Sequence, residues 1–279
     1  TVGGVDKMNM RNVNIVARYE SKLLRRDIVF LGFVVIALVG ISLWQMIKQG
    51  RVNVFWYKVA LPSSFPFFSM YYYNLVQVLI ALFVCMEVVY RERKKDAMEV
   101  FLCRPFRNSE YCIGRFLGIF RMFLFVNICV LLVCMYINLW VVGAPFNVWI
   151  YVFYLFTLSI PTLIFVLGCA LSISAMVKNR PLSVLVLGLF GLGVYFYLDE
   201  WQFGAFDFWG RNLPNMFSDV VGHPDLKGYL LHRLTYTGLG VAGVLFWVAN
   251  MKRLRDHKEH QGLQWGSGGV VVLCSVICL

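Results

Sequence analysis

Gly238-Leu239-Gly240-Val241-Ala242-Gly243 has the GxGxxG spacing that, between a strand and a helix, turns backbone N–H groups onto a pyrophosphate. Here the glycines lie inside an apolar run of helical length, where small residues let a second helix approach closely. Packing is the expected role, shared by Gly188, Gly191 and Gly193 and by Gly168 with Ser172. His257 and His260 are one helical turn apart, but no cysteine or carboxylate cluster completes a tetrahedral metal set, so a solvated face is expected. There is no GxxxxGK[ST] phosphate loop and no nucleophile with a base in its local context, so the chain is expected to be neither an ATPase nor any other enzyme. Ionisable groups inside apolar stretches are the better clue, because a charge in lipid is costly. Glu87 and Arg121 are such groups, and Arg233 lies in another apolar run. Either Glu87 and Arg121 meet at similar depth, or Arg121 snorkels to the headgroups and Glu87 pairs with Arg91 one turn on.

The elements that carry these residues are set by composition. Of 279 residues 59% are apolar and only 15% charged. A soluble domain is about a quarter charged, so this much apolar surface cannot all be hidden from water in one core. The net charge of +11 is spread in short blocks between apolar stretches, which argues against a nucleic-acid partner and for anionic lipid. The cysteines fall in or beside apolar runs, or in a basic loop at Cys103 and Cys112, and do not form a secreted disulfide framework. The chain is expected to be an all-α integral membrane protein.

A hydrocarbon core of about 30 Å requires about 20 apolar residues. Six stretches qualify: Ile28–Ile47, Tyr71–Tyr90, Phe116–Val142, Val148–Val177, Pro181–Leu198 and Tyr229–Asn250. The fourth carries Pro161 near its middle, which predicts a kink or a tilt. About 19 lysines and arginines precede the first span or fall in alternate loops, against about five in the loops opposite. By the positive-inside rule the N-terminus is cytosolic. Residues 1–27 form a cytosolic N-terminal segment, 28–250 the six-helix transmembrane domain, and 251–279 a cytosolic linker followed by a further apolar segment. Its last dozen residues are too short to cross a bilayer, and the expectation is a truncated seventh span, a re-entrant piece being the alternative.

Val13, Val16, Tyr19 or Glu20, Leu23 and Leu24 recur at helical spacing among basic residues before the first span. This predicts a basic amphipathic helix in the headgroup plane, with its apolar face in the acyl boundary. The outer loops are aromatic: Phe55, Trp56, Tyr57, Phe65, Phe67, Phe68 and Tyr71–Tyr73 in the first, and Trp201, Phe203, Phe206, Phe208, Trp209 and Phe217 in the third. Such rings are expected to anchor at the interface.

The cytosolic segment Arg91–Arg115 carries the most information. A first short helix should continue the second span through Glu99–Leu102 and stop at Pro105; Asn108 or Ser109 should cap a second, with Glu110 in its first turn. Phe101, Leu102 and Phe106 are apolar on an otherwise charged knuckle, which suits a docking surface for a soluble partner.

On this segment the chain resembles the permease subunits of ABC transporters of the type-2 export class. Arg91-Glu92-Arg93, Glu99, Pro105 and Gly114-Arg115-Phe116-Leu117-Gly118 stand where that family has its Arg-Glu-Arg, Glu, Pro and Gly-Lys-x-x-Gly. Asp96-Ala97 replaces the family's Gly-Thr, and Arg115 its lysine. Ser172–Arg180 is similar to the small-residue, Lys-Asn exit of span four. The resemblance implies a six-span half-transporter in the bacterial inner membrane, paired with a second copy or half and worked by an ABC ATPase that holds the ATP and Mg; this chain itself would carry no cofactor. It implies a coupling helix within Glu99–Glu110, docking through Glu99, Phe101, Leu102, Pro105, Phe106 and Glu110, with Glu87, Arg91, Arg115 and Arg121 as charges at the cytosolic rim. Trp201, Phe206 and Trp209 would take the place of the outer gate. The cargo is unidentified; spans without a distinctive charged pocket lean towards an amphipathic or lipid-like one. An ion- or proton-coupled carrier and a membrane scaffold are the alternatives from other classes.

Overall fold

The computed structural model describes residues 8–48, 64–92, 108–140, 146–177, 179–194, 196, 207–210 and 225–250. The elements are α1 (Met10–Leu24), α2 (Ile28–Lys48), α3 (Ser64–Glu92), α4 (Asn108–Trp140), α5 (Val148–Tyr154), a π-helical turn (Leu155–Ser159), α6 (Ile160–Met176), α7 (Arg180–Gly193) and α8 (Leu226–Asn250). No strand occurs among the described residues.

Helix starts follow local chemistry. The Asn9 and Asn147 side chains accept the Arg11 and Trp149 amides at 3.0 Å, capping α1 and α5. Asp27 and Asp225 do the same for the amides of Val29 and Gly228, at 2.9 and 3.1 Å. Prolines stand in the first turns of α3 (Pro66) and α7 (Pro181), where an amide would have no helical acceptor. At Pro161 the chain widens into the π-turn just before the ring, which removes the clash of an inserted proline; the fourth apolar stretch is therefore one distorted helix rather than two.

Among the described residues, four helical stretches are long and apolar enough to cross a membrane: Ile28–Ile47, Phe65–Tyr90, Asn108–Trp140 and Val148–Met176. This is a multi-pass membrane protein by the length and composition of its helices. The apolar helix Pro181–Gly193 is shorter, and α8 spans 25 residues. At about 1.5 Å per residue α4 is about 50 Å long, more than the hydrocarbon core, so its ends extend beyond it. The second expected cytosolic helix is not separate: α4 runs unbroken from Asn108 through the third span.

The core lies between α2, α3, α4 and the α5–α6 helix. Phe30 and Phe33 of α2 meet Phe123 of α4, with Phe30 edge-on to it at 5.4 Å, and Phe33 stacks on Tyr73 of α3. Outward faces are aliphatic, as on α2 at Ile28, Val29, Val35 and Ile36 and on α7 at Leu185 and Leu189, which suits contact with lipid.

Two sequence expectations change here. Phe65, Phe67, Phe68 and Tyr71–Tyr73 are not loop residues; they form the first turns of α3, and Phe67 lies edge-on to Tyr154 of α5. Phe208 and Trp209 are likewise buried, with Phe208 against Phe165 and Tyr236. An aromatic run satisfies an interfacial belt and a helix interface equally well, and these rings pack inside.

The glycine expectation divides. On α8, a Cβ at Gly240 would stand 2.5 Å from the Ile164 carbonyl oxygen, and one at Gly243 would stand 2.7 Å from that of Gly168. Ser172 Oγ donates to the Gly243 carbonyl at 2.9 Å, so α6 and α8 touch backbone to backbone. Among the described residues, Gly188 and Gly193 have nothing within reach of a Cβ, and Gly191 only the Trp209 ring at 3.9 Å. Packing against the described residues therefore does not explain the α7 glycines, whose helix turns its aliphatic side outward.

Candidate functional site

The densest polar construction among the described residues joins α1 to the start of α4. The two helices run side by side in the same direction. Glu110, in the first turn of α4, accepts the Asn9 backbone amide at 2.7 Å and the Asn12 side-chain amide at 2.9 Å. One turn on, a Cβ at Gly114 would fall 2.7 Å from Val16 Cβ and 2.8 Å from the Val13 carbonyl oxygen. At Gly118 it would fall 2.8 Å from Glu20 Cβ, and Ser21 Oγ donates to the Gly118 carbonyl at 3.1 Å. Glycine at 114 and 118 thus makes the groove that α1 fills.

Arg115, between these glycines, is 1% exposed. Its Nε donates to Glu20 Oε1 at 3.1 Å, and its Nη2 to the Val88 carbonyl of α3 at 2.8 Å. One guanidinium therefore ties three helices: α1 through a buried carboxylate, its own α4, and the end of α3. A planar fork of fixed donors suits such a junction better than a lysine ammonium would. The same end of α3 is held again where Tyr90 OH donates to the Val177 carbonyl at 2.8 Å, beside Ser183 of α7.

The α1 stripe expected to face lipid is the one that packs on α4. Its buried residues are Val13, Val16, Ala17, Glu20 and Leu24, while Tyr19 is exposed. A stripe of this kind fits acyl chains or a protein groove, and only the facing glycines select the groove. Arg121 is exposed and donates to Asn14 of α1 at 2.9 Å, and Glu87 is half-buried. Cys112, assigned to a loop, is fully buried in the first turns of α4. Of the expected docking residues, Glu110 is buried against α1; Glu99, Phe101, Leu102, Pro105 and Phe106 lie outside the described residues, as do the Arg91 side chain, His257, His260, and the apolar segment after residue 262. Glu20 is the residue that sequence reasoning undervalued. Its signal was a carboxylate at a position where the helical stripe required an apolar side chain.

At the opposite end of the bundle, Trp209 is buried and borders an apolar cavity of about 220 Å³ between Val78 and Leu82 of α3, Val166 and Cys169 of α6, and Leu187 of α7. Trp201 and Phe206, the other expected gate residues, lie outside the described residues. Polar pairs also link α2, α3, α4 and α5: Gln45 with Ser69, Asn138 with Tyr151 at 2.8 Å, and Asn127 with Gln77 at 2.8 Å. Asn74 is fully buried with neither amide atom hydrogen-bonded. No group of three or more histidine, cysteine or carboxylate side chains able to hold a metal occurs among the described residues. No family model and no curated protein matches the chain.

Proposed function

We propose that this chain is the membrane-spanning half of an ATP-driven exporter, with six spans, a cytosolic N-terminus in the bacterial inner membrane, and a separate ABC ATPase docked on residues 99–110. The carrying observation is the Arg115 junction. Residues 93–107 leave α3 just after Val88 and re-enter at α4 just before Arg115, and both limbs are tied to each other and to α1 at that one guanidinium. A push on the intervening segment is then shared by α3, α4 and α1 as a unit, which is what alternating access by rigid-body tilt requires. The apolar cavity beside Trp209 supports an amphipathic or lipid-like cargo. Two halves enclose the pathway, and the chain acts as the passive gate while nucleotide chemistry occurs on the ATPase.

The test is co-purification and reconstitution of the chain with an ATP-binding cassette ATPase from the same cell. Phe101→Asp and Leu102→Asp should each abolish co-purification of the ATPase and nucleotide-driven transport, with unchanged helix content. Full transport by these variants, or uphill transport by the chain alone without nucleotide, overturns the reading.

A further inference from the structure

On one flank of the contact between α1 and α4, cations from both helices come together. Arg121 of α4 is exposed, and its Nη1 donates to Asn14 Oδ1 of α1 at 2.9 Å. Farther along α1, Ser21 Oγ donates to the Gly118 carbonyl at 3.1 Å, just under one turn before Arg121. Asn14 and Ser21 thus mark the side of α1 that borders this flank. Arg18 stands one turn beyond Asn14 and Arg25 one turn beyond Ser21, which puts both on the same side. Both are exposed.

The carboxylates nearby are spent elsewhere. Glu20 and Glu110, the acidic residues of α1 and α4, are buried in the contact, Glu20 against Arg115 and Glu110 against Asn9 and Asn12. Asp27 accepts the Val29 amide at 2.9 Å. Among the described residues no acidic side chain pairs with Arg18, Arg25 or Arg121.

Depth comes from the next contact along α4. Phe30, in the first turn of α2, lies edge-on to Phe123, so Arg121 is level with Ile28, where the first span begins. Beyond Arg121 the same face of α4 continues as Phe125, Ile128 and Leu132, all exposed and apolar on a helix long enough to cross a membrane. The Arg121 side chain turns away from this stripe towards Asn14, as a cation at the edge of hydrocarbon does.

Gathered like charges repel, and an anion among them removes the repulsion. We propose that this flank binds an anionic phospholipid, its phosphate among Arg18, Arg25 and Arg121 and one acyl chain along Phe125, Ile128 and Leu132. Lipid is favoured over free phosphate because the cations stand where a span begins and the apolar stripe starts directly beneath them. α1 therefore meets lipid with its charged side, the reverse of what its apolar stripe suggests, since that stripe is used up on α4. The site needs neither nucleotide nor ATPase and stands independently of the exporter reading.

The test is native mass spectrometry of the purified chain titrated with phosphatidylglycerol and, separately, with phosphatidylcholine of the same acyl chains. Phosphatidylglycerol should bind about tenfold more tightly, the worth of one charge-assisted contact. Arg121→Gln, and Arg18→Gln combined with Arg25→Gln, should each remove most of that preference, whereas Lys227→Gln at the start of α8 should leave it intact. If Arg121→Gln loosens α1, the Arg18 and Arg25 pair decides alone, since both side chains are exposed and their loss leaves the packing untouched. Inorganic phosphate at the same concentration should not displace the bound lipid. Equal binding of the two lipids, a preference that survives the paired variant, or displacement by inorganic phosphate overturns the proposal.

Discussion

Arg115 Nε meets Glu20 Oε1 at 3.1 Å with both side chains buried, across 95 positions of sequence. A buried pair is strongly destabilised by losing one partner, by about 3–5 kcal/mol, yet often tolerates replacement of both by apolar groups. Glu20→Leu alone should therefore lower stability by about 3 kcal/mol, and Glu20→Leu with Arg115→Met should recover much of the loss. Thermal unfolding in detergent followed by intrinsic fluorescence would measure both. Additive losses in the double variant would mean that the two side chains are not energetically coupled.

The contact between α6 and α8 is closed by glycine. Gly240→Leu and Gly243→Val should prevent the two helices from meeting, because a Cβ at either position already reaches the facing backbone or Ser172 Oγ. Loss of a monodisperse peak on size exclusion is the expected result. Gly188→Ala and Gly193→Ala have open space around the new methyl group and should instead stabilise α7 by about 0.5–1 kcal/mol through helix propensity. A loss of stability there would reveal a neighbour beyond this chain's own described helices.

Asn74 and Asn127 should respond with opposite signs. Asn127 Nδ2 donates to Gln77 and to the Phe123 carbonyl, each at 2.8 Å, so Asn127→Leu should cost about 1 kcal/mol. Asn74 makes no hydrogen bond, and Asn74→Leu should gain about 1–3 kcal/mol by removing a buried amide without a partner. If Asn74→Leu also lowers the proposed transport, the amide is held in place by function at the expense of stability. A drop in thermal stability for Asn74→Leu would count against the assignment.

Thiol labelling separates topology from burial. Cys112 is fully buried and should react with a membrane-impermeant maleimide only after unfolding. A variant with Cys103 as its only cysteine should be labelled from the cytosolic side alone. Labelling of Cys103 from outside would reverse the proposed orientation.

Much of the architecture was legible in the sequence because spanning a bilayer leaves few choices: an apolar run of sufficient length must close its own backbone hydrogen bonds, and helices do so. The cores of the four stretches long enough to cross a membrane and the distortion at Pro161 follow from residue chemistry. Span ends were harder. Phe65–Tyr73 looked like an interfacial loop because aromatic rings are at home both at headgroups and between helices. The site was legible only in fragments. Gly114, Arg115 and Gly118 stood out as a motif, but nothing local tells that a helix some hundred residues earlier fills the space beside them.

Residue types, taken alone, determined that this chain lives in lipid, that helices cross it, and that its charges gather between the crossings; each of these depends on transfer energies that are local to a segment. Which face of a helix meets protein rather than lipid was decided only by tertiary structure. An aliphatic stripe is equally at ease against acyl chains and against side chains, so hydrophobicity cannot choose between them. Close packing and paired charge can. Val16 fits over Gly114, Gly240 fits over Ile164, and Glu20 enters the interior only because Arg115 is already there.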